Sequence, residues 1–596
     1  MKRRDFFKIA APLAAAPILV NGLPVRTFAT TSMLGAINCD ATDRVMVMVY
    51  LNGANDFINT FVPLNQHATY AGHRPNMHIP TANLITLDST LPTTQQLGLH
   101  PALTGMKALY DNGKLKVVQG VGMPSPNRSH FKAQDLWLSG GDGTNSIMSN
   151  LETGWIGRFL DNRYPYYEGI PFTNEPDPLG ILLGSMDNAG FHPPHQHRFE
   201  INLSGQDPSG YYSLISSIGG LPITNFPNSE HGDMLQYIMG VENSVNVFAQ
   251  TITNTFNAGA NAGSVAYPNN DLADQLRTVA RMLSGGSRTK VFMTTQGGYD
   301  THAFQVDQGN ALVGRHTDLL TDLDTALKAF QDDLDALGLS DKVMTVVFSE
   351  FGRKIVENGN YGLDHGTLGS MILIGNGVEG GVTGNNLDLN ALDSQNAPDP
   401  STMQHDYRQV FGTILQDWMG GNDDAIAATF LTSTYIQPKL NLVGNGASVD
   451  PNCFLGAKDV QISARVFLQG NLDLGTSTMK DDLRMAGTIP TEEPYSALGF
   501  SPDNKGADIG VSVTTINDPN LSVVDWVLLE LREENAPDNI LRSMSALVRR
   551  DGWIVDCSDG TSPVTFRNVD PNLNYQVAVR HRNHLGIMTT TAVTVN

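Results

Sequence analysis

The stretch VFMTTQGGYDTHAFQVDQGNALVGRHTDLLTDLDTALKAFQDDLDALGLSDKVMTVVFSEFGR, residues 291–353, decides the fold. It opens and closes on runs that are apolar on both parities, Val291 to Thr295 and Val343 to Phe348, the pattern of strands buried on both faces. Between them Leu312, Leu319, Leu323, Leu327, Phe330, Leu334 and Leu337 make one stripe at helical spacing. This predicts a helix over about 307–337, with Asp318, Asp322, Asp332 and Asp335 on its solvated side. Strand, helix, strand is the repeating unit of an α/β sheet.

Runs of the same kind recur at Val45 to Leu51, Leu115 to Val121 and Met371 to Ile374, and a further helix is expected from His405 to Met419. Residues 40–440 therefore read as an α/β domain with a mostly parallel sheet. The 140–230 stretch, rich in Gly, Pro, Asn and Ser, reads as long loops or a lid. After about Asn445 the texture changes. Short runs such as Ala464 to Gln469, Val511 to Thr515, Val523 to Glu530, Val564 to Arg567 and Tyr575 to Arg580 alternate with Asp-, Asn-, Pro- and Gly-rich turns, predicting an all-β C-terminal domain over 445–596.

A length of 596 residues suits such a division. The net charge of −22 argues against nucleic acid or an anionic membrane as a general partner. Three cysteines, Cys39, Cys453 and Cys557, exclude a disulfide framework and a thiolate zinc site, and leave a single Cys453–Cys557 bridge open. The start, MKRRDFFKIAAPLAAAPILVNGLPVRTFAT, is basic, then apolar from Ile9 to Val20, then small up to Ala29, which is the build of an export leader over residues 1–29. Arg3 and Arg4 followed by Asp5, Phe6, Phe7 and Lys8 resemble the twin-arginine signal, which implies the twin-arginine translocase as a partner and a periplasmic or extracellular location. The apolar run falls short of the roughly 20 residues of a membrane span, and no later segment is long enough.

Ligands of open α/β sheets sit beyond the carboxyl ends of the strands. Asp56 follows the first strand, the loop Arg128-Ser129-His130 follows the second, Asp300 and His302 follow the third, and Glu350 and Arg353 follow the fourth. Asp364 and His365 precede the fifth. If these carboxylates converge, electrostatics limits the outcome: two like charges 4 Å apart repel by about 4 kcal/mol at an effective dielectric of 20, so protons, an arginine or a metal must compensate. Oxygen and imidazole ligands suit zinc, manganese, magnesium or calcium. Arg128 and Arg353 offer bidentate hydrogen bonds to an anionic substrate group. A blander reading makes Asp56 and Ser129 helix caps or turn formers, the Gly375, Gly377, Gly380 and Gly381 cluster turn chemistry, and His192, His195 and His197 a solvated loop.

The ordered set YLNGANDFINTFVP, NRSHFKAQDLW, TTQGGYDTHAFQ, FSEFGRKIVENGNYGLDHG, GNGVEGG and DYRQVFGTILQDWMG, spanning about residues 40–422, resembles the exported bacterial domain-of-unknown-function family fifteen-hundred-and-one. That family is grouped with the alkaline phosphatase and sulfatase superfamily. The resemblance implies an alkaline phosphatase-like fold and metal-dependent hydrolysis of phosphate or sulfate esters. It further implies Asp56, Asp300, His302, Glu350 and His365 as metal ligands, with Asp364 beside them, and Ser129 as nucleophile. The sequence departs from the superfamily at Phe351, where a histidine is expected after the acidic ligand, and lacks the sulfatase Cys/Ser-x-Pro-x-Arg signature around Ser129. The alternative is a catalytically inactive relative used for binding at the cell surface.

Overall fold

The computed structural model describes residues 44–143, 153–164, 177–185, 188–193, 200–209, 248–431, 438–444 and most of 458–594, with the backbone of 18–20 and 23–25. The rest of the leader, Cys39, Cys453, His195 and His197 lie outside the described residues. Cys557 is buried and free. The chain divides into two compact units, Met1–Asp161 with Gly169–Phe454, and Asn162–Glu168 with Leu455–Asn596.

The first unit is built on a sheet of nine strands among the described residues. They are β1 (Val45–Asn52), β2 (Leu115–Gly122), β3 (Gly180–Leu182), β4 (Glu200–Asn202), β5 (Val291–Gly297), β6 (Val343–Phe348), β7 (Gly369–Ile374), β8 (Gly381–Thr383) and β9 (His405–Asp406). The order is β8-β2-β7-β6-β1-β5-β3-β4, with β9 also on β2. β1 lies between β6 and β5, parallel to both, and every residue from Val45 to Leu51 is buried. Helices α1 (Phe57–Thr60), α2 (Thr104–Asp111), α3 (His130–Ser139), α4 (Asp271–Ser284), α5 (Arg315–Ala336) and α6 (Tyr407–Asp417) belong to the same unit.

One strand departs from the parallel pattern: β7 is antiparallel to both β6 and β2. Its position has a functional consequence. Because it runs the other way, the residues that precede it, including Asp364 and His365, reach the rim where β1, β2, β5 and β6 end.

α5 begins eight residues later than the apolar stripe suggests, because Asp307 pairs with Asn310 in a small bridge and Gly314 enters the helix at φ 129, a conformation that favours glycine. Leu320, Leu323, Leu327, Phe330 and Leu334 form its buried face. Asp324, on that face, accepts from the Gly105 and Met106 amides at 2.8 and 2.6 Å and so caps α2. α6 starts at Tyr407 because His405 and Asp406 extend the sheet as β9 and Asp406 accepts from the Arg408 amide as N-cap. Within the expected loop region 140–230, β3 and β4 continue the sheet beyond β5.

The second unit is antiparallel. Strands β10 (Lys458–Ile462), β11 (Val523–Glu533), β12 (Ile540–Arg549), β13 (Ile554–Val555), β14 (Val564–Val569), β15 (Asn574–His581), β16 (His584–Met588) and β17 (Val593–Thr594) form a six-stranded sheet, β13-β12-β11-β15-β16 with β17 on β15, and a β10-β14 pair. β11 is apolar on both parities because Val524, Leu529 and Leu531 enter one cluster while Val523, Trp526 and Leu528 enter another. Two expected strands do not form. Ala464 to Gln469 makes only a single bridge, from Arg465 to Trp553, and Val513 to Thr515 is a turn.

Candidate functional site

At the carboxyl rim Gly53 brings two loops into contact. It sits at φ +111, and a Cβ there would lie 2.4 Å from the Asp300 nitrogen, so only glycine allows the loops after β1 and β5 to touch. Arg353 then fixes them. Its guanidinium is buried and donates to Ala54 O (2.8 Å), Leu363 O (3.0 Å), Tyr299 O (3.0 Å), Gly53 O and Asp300 Oδ1 (2.7 Å). All three guanidinium nitrogens are thereby engaged, Nη2 with three acceptors. Arg353 is thus a brace that orients Asp300. Arg128 is also engaged, in an ion pair with Asp393.

Three imidazoles converge on the Asp300 carboxylate. His130 Nε2, His302 Nε2 and His365 Nε2 lie 3.2, 3.2 and 3.3 Å from its Oδ1. His130, Asp300 and His365 each offer a ligand atom, and those atoms lie within 4.8 Å of one another. The opposite nitrogen of every ring faces an acceptor: His130 Nδ1 faces Glu350 Oε1 (2.6 Å), His302 Nδ1 faces Asp364 Oδ1 (3.0 Å) and His365 Nδ1 faces the Arg128 carbonyl (2.6 Å). A carbonyl or ionised carboxylate can only accept, so each Nδ1 carries a proton, and the neutral form of each ring would turn an Nε2 lone pair inward.

This arrangement fits a cation. His302 Nε2 and His365 Nε2 face each other at 2.8 Å, where two lone pairs repel unless a proton or a metal lies between them. His130 Nε2 stands at ion-pair distance from Asp300, yet lacks hydrogen-bond geometry, and is a buried nitrogen without a hydrogen-bond partner. Carboxylate or carbonyl partners behind ligating histidines are the usual support of a metal centre.

The electrostatics divides the cluster. Burial pushes the Asp300 carboxyl up, but the Arg353 hydrogen bond and charge, with His130 and His302, hold it at about 2. Asp364 is also held at about 2 against burial, by His302, Lys354 and Asn358. Burial lowers His130, and the Glu350 bond and charge, with Asp300, reverse this and raise it. Burial lowers His365, the Arg128 carbonyl opposes this, and the His130, Arg353 and His302 charges add to the lowering.

The other expected ligands are placed differently. Glu350, its side chain fully buried, accepts from His130, from the Gly53 amide (3.0 Å) and from Ser349 Oγ (3.0 Å), so it stands behind the cluster. Asp364 stands behind His302 in the same way, with Lys354 at 3.1 Å. Asp56 is not brought into the cluster at all. It caps α1 through the Asn59 amide (3.3 Å) and is closed in by Arg74 Nη1 and Gln305 Nε2, both at 2.7 Å. Ser129 occupies the N-cap position of α3 but its hydroxyl makes no cap bond, and the residue is exposed. Phe351 takes no ligand role: its ring stacks on His130 at 5.1 Å.

His130 is the member that sequence reasoning missed. The available signal was an imidazole at the first helical residue after a strand-end loop, beside Ser129.

Residues 243–426 match the family described as "Protein of unknown function (DUF1501)". That span includes Asp300, His302, Glu350, Asp364 and His365, and leaves His130 outside. No curated protein is matched. Among solved structures the chain is similar to a protein in the alkaline phosphatase superfamily from Vibrio parahaemolyticus, at 11% identity and TM-score 0.27, covering 57% of this chain and 62% of that one. It thus spans less than two thirds of the Vibrio protein. It is also similar to the PsFucS1 sulfatase from Pseudoalteromonas sp., at 11% identity and TM-score 0.31 over 73% of this chain and 77% of that one. A third is the phosphonate monoester hydrolase from Silicibacter pomeroyi, at 10% identity and TM-score 0.27 over 63% and 73%.

Proposed function

We propose that this chain, which carries the DUF1501 match across residues 243–426, is an exported metal-dependent hydrolase of phosphate or sulfate esters. The observation that carries the reading is the convergence of three Nε2 atoms on Asp300 Oδ1 with every Nδ1 already facing an acceptor. His130, His302, His365 and Asp300 would hold the ion, and three imidazoles with one carboxylate favour zinc over manganese, magnesium or calcium. When bound, such an ion polarises the ester oxygen and lowers the pKa of a hydroxyl beside it.

The chain's own residues supply the rest. Ser129, exposed and without a cap bond, is free to attack the ester's phosphorus or sulfur, the alcohol leaves, and water then releases Ser129. The start of α3 presents unpaired amides and the positive end of a helix dipole to the substrate's anionic group. Glu350, Asp364 and the Arg128 carbonyl hold the three rings in one tautomer, and Arg353 holds Asp300.

The leader over residues 1–29 supports export by the twin-arginine translocase, to the periplasm or beyond. Among the described residues no helix is long and apolar enough to cross a membrane. Metal content of protein prepared without chelators, together with turnover of aryl phosphate and aryl sulfate by wild type and Ser129→Ala, tests the reading. Bound metal and Ser129-dependent turnover are expected. Absence of both overturns it.

A further inference from the structure

The β-rich unit carries a grouping that ester hydrolysis does not use. Phe467 and Trp553 are 37% and 40% exposed. The Arg465 guanidinium stands against both rings, 5.0 Å from the Phe467 centroid and 5.9 Å from that of Trp553.

The backbone under these side chains is fixed. Arg465 bridges Trp553, the Val466 amide donates to Gly552 O (2.8 Å), the Ile554 amide to Ala464 O (2.9 Å) and the Arg549 amide to Trp553 O (2.9 Å). Gly552, at φ +87, leaves the space that Phe467 and the Arg465 stem cover, since a Cβ there would meet each at 3.1 Å. Neighbouring guanidiniums are neutralised: Arg549 pairs with Asp551, while Arg484 and Arg550 share Asp481. Arg465 donates only to a main-chain oxygen, that of Asp551 (2.6 Å), and among the described residues has no carboxylate partner.

We propose that Phe467, Arg465 and Trp553 form a binding site for a glycan chain bearing acidic substituents. Two rigid rings offer apolar faces for the C–H faces of sugar rings at little cost in side-chain entropy. The fork between them matches a carboxylate or sulfate group by paired hydrogen bonds. One unneutralised guanidinium suits a polymer with widely spaced charges. It does not suit a nucleic acid, whose charges lie about 1.7 Å apart along the duplex.

The test is affinity electrophoresis of the full chain through gels containing polygalacturonate, dextran sulfate or neutral dextran. Retardation by one or both acidic polymers and none by dextran is expected, and which polymer acts distinguishes a carboxylate from a sulfate ligand. Arg465→Gln and Trp553→Ala are each expected to weaken retardation by about tenfold at unchanged melting temperature. If Trp553→Ala does not fold, Phe467→Leu takes its place. The proposal is overturned by no retardation or by equal retardation in neutral dextran. It is also overturned if retardation is lost with Arg465→Gln but indifferent to both ring substitutions, which would be mere charge attraction.

Discussion

The Nδ1 atom of His365 lies 2.6 Å from the backbone carbonyl of Arg128, so this imidazole is oriented by main chain and not by a side chain. The consequence separates two neighbouring substitutions. Arg128→Gln should leave metal affinity nearly unchanged, because the carbonyl stays in place. His365→Ala removes an inward lone pair and should lower affinity by more than the 10- to 100-fold typical of losing a supporting group. Metal titration of both variants, with circular dichroism to confirm folding, distinguishes them.

Glu350→Gln should lower metal affinity by about 10- to 100-fold, since the amide oxygen still accepts from His130 but no longer carries charge. It should also flatten the pH dependence of metal affinity. Protons compete with the metal for Nε2, and Glu350 raises His130, so in wild type that competition sets in at a higher pH than for an unperturbed histidine. Removing that charge lowers His130, so the variant, weaker at neutral pH, should lose less further affinity on acidification. Metal affinity measured from pH 8 to pH 5 reads the change, and an unchanged pH dependence would count against the Glu350–His130 coupling.

The acid limb of stability should depend on Asp300 and Asp364 in metal-free protein. Both are held at about 2, below the unfolded value of about 3.9. A depressed carboxyl contributes stability that is present above its unfolded pKa and lost as pH falls through the folded one. Denaturant midpoints should therefore fall between about pH 4 and pH 2, and Asp300→Asn or Asp364→Asn should flatten that fall. Both groups are partly exposed, so the slope is modest.

Much of this unit was legible in the sequence because strands buried on both faces leave unbroken apolar runs, as Val45 to Leu51 does. Strand direction leaves no such mark, and the reversal of β7 had to come from the structure. Among the site residues, Asp300, His302 and His365 were marked by position at strand ends. A carboxylate at that rim does not reveal whether it lies among the histidines, as Asp300 does, or behind a ring, as Glu350 and Asp364 do. Asp56 reads alike, and only the fold brings Arg74 and Gln305 to it.

Asp56 and Arg74 form an ion pair whose two side chains are both 0% exposed. Removing one partner leaves an uncompensated buried charge, so Asp56→Ala should destabilise the unit by about 3 to 5 kcal/mol. Asp56→Asn, which keeps the size and one acceptor, should cost less. Neither should alter metal stoichiometry in the fraction that folds. Loss of metal from folded Asp56→Asn would instead place Asp56 among the ligands.

Ser129 allows the chemistry to be tested free of a stability effect. Truncating an N-cap serine to alanine usually costs about 1 kcal/mol, because a helix amide loses its acceptor. Here the hydroxyl accepts no such bond, and the Ser129 amide is held instead by Asn127 Oδ1 at 2.9 Å. Ser129→Ala should therefore unfold within about 0.5 kcal/mol of wild type, as surface substitutions without special contacts do. Asn127→Ala, which removes the acceptor, should cost more. If ester turnover is lost in Ser129→Ala at unchanged stability and unchanged metal content, the loss belongs to the hydroxyl's attack. Turnover that survives Ser129→Ala would move the nucleophile from Ser129 to a water molecule at the histidine cluster.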